Sequence, residues 1–135
     1  MSRIVLPEPI VSKRTDELWR TTCFELFVTD DGQAYREYNF SPSGAWAAYT
    51  FEDYRVGMRP ADGDIEIKFS SDSKSLLLEA KIVSEFPIPA LVGLTAVIEE
   101  TDGAIRYWSS AFAPGKPDFH APAVRSLLFD GVGTE

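Results

Sequence analysis

One cysteine and one histidine occur in 135 residues. The lone Cys23 rules out an internal disulfide. The lone His120 removes His-cluster metal sites and makes a zinc centre a poor fit. Positive charge is scarce too: thirteen Lys and Arg stand against twenty-one Asp and Glu, for a net charge of −8. The first sixty residues hold seven basic and nine acidic side chains and the remainder six and twelve, so neither part offers the basic face with which a protein displaces counterions from nucleic acid. No apolar stretch approaches the roughly 18 residues of a membrane span, and the start, Met1-Ser-Arg-Ile-Val-Leu-Pro-Glu-Pro, has no run of signal-peptide length. The expectation is a cytoplasmic protein with neither nucleic acid nor membrane as partner.

Catalytic signatures are also missing. There is no Gly-rich phosphate loop and no Gly-x-Ser-x-Gly elbow, and any Ser–His or Cys–His pair must use His120. Cys23 opens a strand where nothing lowers its pKa, so it reads as a buried thiol. Asp30-Asp31, Glu52-Asp53 and Glu99-Glu100 are sequence neighbours in turns or at strand ends, which reads as solvated surface charge. The sequence therefore predicts no enzyme, no catalytic residue, no metal and no cofactor.

What is present is hydrophobic alternation, within a 44% hydrophobic composition that can build one core in a chain of this size. Period-two patterns mark strands at Thr22 to Thr29, Tyr35 to Ser41, Ala45 to Phe51, Asp64 to Ser70, Ser75 to Val83, Val92 to Glu100 and Ile105 to Phe112, and a closing strand at Ala123 to Asp130. Asp30-Asp31-Gly32, Ser41-Pro42-Ser43-Gly44, Ser71 to Lys74 and Asp102-Gly103 supply turns, pairing the strands into hairpins. Pro87 and Pro89 disfavour helix around Glu85 to Ala90, and Ala113 to Pro122 reads as an ordered loop. Only Thr15 to Trp19 suggests a helical turn. The pattern predicts an all-β protein, an antiparallel β-sandwich of jelly-roll type, with a closed barrel as the alternative.

Two carboxylates stand apart from the surface charge. Glu25 and Glu37 lie inside strands, and if the first hairpin pairs as its turn implies, Glu25, Glu37 and Asn39 project to one side of a sheet. A half-buried carboxylate needs a donor: Arg20, Arg36 or Arg55 in a structural role, or a ligand hydroxyl in a functional one. Trp19 sits among polar neighbours in Thr15-Asp16-Glu17-Leu18-Trp19-Arg20-Thr21-Thr22, a setting that suits an aromatic platform as well as a core anchor.

Asp16-Glu17-Leu18-Trp19-Arg20-Thr21-Thr22-Cys23-Phe24-Glu25-Leu26-Phe27-Val28, followed by Tyr35-Arg36-Glu37-Tyr38-Asn39-Phe40-Ser41-Pro42-Ser43-Gly44, resembles the DOMON-like superfamily, which includes the family 9 carbohydrate-binding modules. Tyr54-Arg55, Tyr107-Trp108 and Pro117 to His120 extend the resemblance, which covers residues 14 to about 130. It implies a β-sandwich that holds a sugar between two aromatic faces, with charged side chains on its hydroxyls. Trp19 stands where one plate lies and Glu25 matches the ligand-facing carboxylate. Phe119 falls in the region of the second plate, where such modules carry Trp, and Glu37 falls about where they carry a ligand-contacting Arg. The superfamily also has haem-binding branches, for which Met58 and His120 are the axial candidates here.

The expected site is thus Trp19, Glu25, Glu37, Asn39, Arg55, Trp108, Phe119 and His120, binding a saccharide or similar polyol. A structural, self-associating sandwich without a small ligand is the alternative from another class. Residues 1–13 read as an N-terminal extension and 14–135 as one domain. Related domains begin with further strands, so a short N-terminus is expected to leave a sheet edge open. Pro7 and Pro9 keep Ile4 to Val11 from covering it fully, and a homodimer through that edge is the expected assembly.

Overall fold

The computed structural model describes residues 4–9, 13–30, 32–61, 63–83, 89–111 and 118–129. Nine strands follow one another: β1 (Cys23–Thr29), β2 (Tyr35–Phe40), β3 (Trp46–Phe51), β4 (Arg59–Pro60), β5 (Asp64–Ser71), β6 (Leu76–Val83), β7 (Ala90–Glu99), β8 (Ile105–Ser109) and β9 (Leu127–Phe129). Two 3-10 turns, Leu18–Arg20 and Pro122–Val124, are the only helical elements among the described residues. No helix among them is long and apolar enough to cross a membrane.

The eight expected strands are present, and β4 is an addition. The closing strand is shorter than its hydrophobic pattern, because Pro122 opens a 3-10 turn where extended chain was expected. Asp31 of the first turn, Ile10 and Val11, residues 84–88 of the Pro-rich segment, Phe112, residues 113–117 of the long loop and Asp130 lie outside the described residues.

One sheet runs β4-β3-β2-β1-β7-β8, with β9 also on β7, and β5-β6 forms a separate hairpin. All of these strand pairings are antiparallel. The sheet does not close into a barrel.

The register has a simple consequence. Between β1, β2, β3, β7 and β8, odd-numbered residues pair with odd and even with even, as in Glu25 with Asn39 and Thr95, and Thr95 with Ser109. Because side chains alternate along a strand, every odd residue of these five strands projects to one face and every even residue to the other. The even face carries Val28, Tyr38, Phe40 and Ala48, and the β5–β6 hairpin packs Ile65, Ile67, Leu78 and Ile82 over it as a second layer. The odd face carries Phe27, Tyr35, Ala47, Tyr49 and Phe51, and is covered by Leu18 and Phe119 from irregular segments. Each large side chain buried in these layers contributes about 1.5–3 kcal/mol. The odd face, roofed by loops instead of a sheet, is the one that can hold a cavity.

Gly93 lets the roof approach. It lies in β7 on the odd face, and a methyl group there would stand 2.5 Å from the carbonyl oxygen of Val124 in the second 3-10 turn. A strand glycine at such a point marks close passage of another backbone.

The outer edge of β3 is covered. Trp46 donates its N–H to the Lys13 carbonyl (3.1 Å) and accepts from Thr15 N–H (2.8 Å), so residues 13–15 run along the outer side of β3. The Arg14 guanidinium reaches the carbonyls of Ala48 (2.9 Å) and Ala61 and lies 4.9 Å from the centre of the Trp46 ring. β4 takes the rest of that edge. Further back, Val5 N–H donates to Glu99 O at 2.7 Å, so part of the N-terminal segment belongs to the sheet. Among the described residues no strand pairs with the outer side of β8 or with that of the two-residue β4.

Candidate functional site

The odd face opens into a cavity of about 420 Å³ lined by Trp19, Glu25, Glu37, Phe51, Arg55, Met58, Val97, Tyr107, Phe119 and His120. Strands provide the floor: Glu25 from β1, Glu37 from β2, Phe51 from β3, Val97 from β7 and Tyr107 from β8, all odd. Three irregular segments provide the walls. The 3-10 turn before β1 presents Trp19, whose ring meets Tyr49 edge-on at 6.4 Å. The turn after β3 presents Arg55 and Met58. The 118–121 turn presents Phe119 and His120, with Phe119 edge-on to Tyr107 at 5.9 Å.

Two nearly inaccessible carboxyl groups meet at the floor. Glu25 and Glu37 hydrogen-bond each other, and the Glu25 carboxylate also accepts the Thr95 hydroxyl at 2.9 Å. Burial raises both pKa values, Glu25 to about 7 and Glu37 to about 8, with the charge of Glu25 adding to the rise at Glu37. The two carboxyls interact, so their protons come off as those of a pair. Asn39, cross-strand from Glu25, is fully buried; its amide lies near enough to Glu37 to favour the ionised form, yet among the described residues neither amide atom has a hydrogen-bond partner. Cys23, two residues before Glu25, is buried as expected, and burial and the two carboxyls push its thiol far above the ordinary range.

The imidazole is oriented by a chain of contacts. The Tyr35 oxygen accepts the Arg55 backbone N–H at 3.1 Å and lies 2.7 Å from His120 Nδ1. The phenol proton can go to Nδ1, and the ring tautomer that accepts it carries its own proton on Nε2, 3.6 Å from Glu37 Oε1. Burial, and then the Arg55 charge, lowers His120 to about 4, so it is neutral at physiological pH. Arg55 holds a left-handed backbone (φ 54), a cost of about 1–2 kcal/mol offset by its bond to Tyr35 and its ion pair with Asp118 at 2.9 Å. Tyr54 donates its hydroxyl to the same carboxylate, and these bonds hold Asp118 below its usual range against the opposing effect of burial.

Six of the eight expected residues therefore converge on one cavity: Trp19, Glu25, Glu37, Arg55, Phe119 and His120. Asn39 shares their face but sits behind the lining. Trp108 is a correction: it is even-numbered, pairs with Ala96 and points from the opposite face, 55% exposed, while its neighbour Tyr107 takes the cavity position. The arginines offered as structural partners for the carboxylates also go elsewhere, Arg20 to Glu17, Arg36 to Asp30 and Arg55 to Asp118. Sequence reasoning missed Phe51, Val97 and Tyr107 in the lining, all identifiable by odd numbering once Glu25 is placed. It also missed Arg125, a buried guanidinium 4.6 Å from the centre of the Tyr35 ring that donates to Thr29 at 2.9 Å.

Comparison with protein-family models, with curated proteins and with solved structures finds no match for the chain.

Among the described residues, no group of three or more His, Cys, Asp or Glu is placed to hold a metal ion. Met58 and His120, the axial candidates for haem, both line the cavity, and His120 Nδ1 is held by the Tyr35 hydroxyl.

Proposed function

We propose that the protein is a non-catalytic ligand-binding module for a saccharide or similar polyol, acting in the cytoplasm. The carrying observation is the cavity itself, where aromatic side chains of Trp19, Phe51, Tyr107 and Phe119 share one space with buried carboxyls and an Arg55–Asp118 pair at its rim. A sugar ring offers CH-rich faces to aromatic planes and paired hydroxyls to such polar groups, so it needs both kinds of side chain together. A DOMON-like kinship rests on the motifs Trp19 to Val28 and Tyr35 to Gly44 and is part of this proposal.

Trp19→Ala and Glu25→Gln are each expected to weaken ligand binding about tenfold or more while leaving the fold intact, since stacking and a charge-assisted bond are worth about 1–3 kcal/mol each. A glycan array read alongside thermal melts tests this. Equal signals for wild type and both variants, or none for any, would sink the sugar reading.

Self-association is a second reading that one observation favours. The outer edge of β8 carries Ile105, Tyr107 and Trp108, each 40% or more exposed, and Leu94 and Leu127 are exposed on the same face as Trp108. An unpaired edge with apolar side chains templates pairing with a second copy. Light scattering across a wide concentration range is expected to show a dimer that Trp108→Lys disperses; a constant single-chain mass in the wild type refutes it.

A further inference from the structure

The cavity floor places two buried carboxyls, Glu25 and Glu37, side by side beneath aromatic walls, and burial keeps both from ionising at their ordinary pH. A neutral polyol would leave them protonated. An ammonium group would favour their ionised form, give both carboxyls a donor, and set its carbon substituents against the electron-rich faces of Trp19 and Tyr107. Resting on the saccharide reading, we propose that the ligand is a protonated amino sugar, its ammonium seated on Glu25 and Glu37 and its hydroxyls toward the Arg55–Asp118 pair. Binding then displaces protons from the carboxyls: the ammonium enters intact, the carboxyls that face it ionise, and one proton leaves to solvent for each that does.

The groups around the pair permit this. His120 faces Glu37 from the 118–121 turn and is neutral, so it adds no repulsion to an incoming cation. The Arg55 charge, on the turn after β3, is matched by Asp118 at 2.9 Å. Tyr35 and Arg125 lie behind the imidazole, with the guanidinium against the Tyr35 ring, and Cys23 and Tyr49 flank the pair on β1 and β3 with pKa values raised, so both stay protonated. The exchangeable protons nearest the floor are those of Glu25 and Glu37.

The test is calorimetry of the whole chain at pH 6.5 with glucosamine, glucose and N-acetylglucosamine, in phosphate and in imidazole buffers of different ionisation enthalpy. Glucosamine is expected to bind about tenfold or more tighter than either neutral sugar, with a buffer-dependent enthalpy reporting proton release that is reduced in Glu37→Gln. A melting curve of that variant confirms that it is folded. Equal affinity for all three sugars with buffer-independent enthalpy overturns the amino-sugar assignment and leaves the polyol reading standing. Absence of binding by all three overturns both.

Discussion

Glu37→Gln is expected to stabilise the protein by about 2–4 kcal/mol at pH 8 and by less than about 1 kcal/mol at pH 5. In the unfolded chain a glutamate loses its proton near its ordinary value of 4.5, whereas in the fold Glu25 and Glu37 hold theirs to about 7 and about 8. Between those limits the native state binds more protons than the unfolded state, so stability falls as pH rises. His120 works in the opposite sense, because its folded value of about 4 lies below the ordinary 6.5, and its contribution grows with pH only up to 6.5. From pH 6.5 to 8 the carboxyls act alone, and the wild type should lose stability across that window. Glutamine removes the titration and keeps the contacts, since its amide N–H can donate to Glu25 and its oxygen can accept from His120 Nε2. Chemical denaturation at pH 5, 6.5 and 8 measures this; a wild-type stability that is flat or rising from pH 6.5 to 8 would show that the pair carries no shared proton.

Gly93→Ala is expected to cost about 2–3 kcal/mol, lowering the melting temperature by about 10 °C, and to weaken ligand binding at a site it does not line. The added methyl group meets the Val124 carbonyl oxygen at 2.5 Å and a Val124 side-chain carbon at 2.8 Å, so the 3-10 turn must lift from the sheet. Lifting it displaces Arg125, which follows directly, and strains the adjoining turn that carries Phe119 and His120. Thermal melts together with the glucosamine titration check both parts. A variant as stable as the wild type would mean that the turn yields freely.

Much of this was legible in the sequence because it depends on local periodicity. Alternation located the strands, and Asp-Gly and Ser-Pro-Ser-Gly turns set the registers that bring Glu25, Glu37 and Asn39 to one face. The choice of Trp108 over Tyr107 went astray for a physical reason. A motif names a dipeptide, but a strand sends its two side chains to opposite faces, and only the pairing of β8 with β7 and of β7 with β1 decides which one reaches the cavity. The direct bond between the two carboxyls was not legible either. Glu25 pairs with Asn39 and Glu37 with Phe27, so the glutamates meet on a diagonal, and the sequence offered arginines as more obvious partners. The cover over the outer edge of β3 was not legible because Lys13 to Thr15, which have no strand pattern of their own, take their conformation from β3.

The seam between β1 and β7 also bears on how the site comes into being. The hairpin of β1 and β2 joins neighbours in sequence and brings the two carboxyls together early, whereas Glu25 and Thr95 are 70 positions apart. Closing so long a loop costs entropy before any contact is gained, which makes the non-local seam and the segment docked over it late events in folding. Until then Glu25 and Glu37 face water, and neither has reason to keep a proton. At neutral pH, the proton between them is taken up as the last walls arrive, so the final step of folding is itself a protonation.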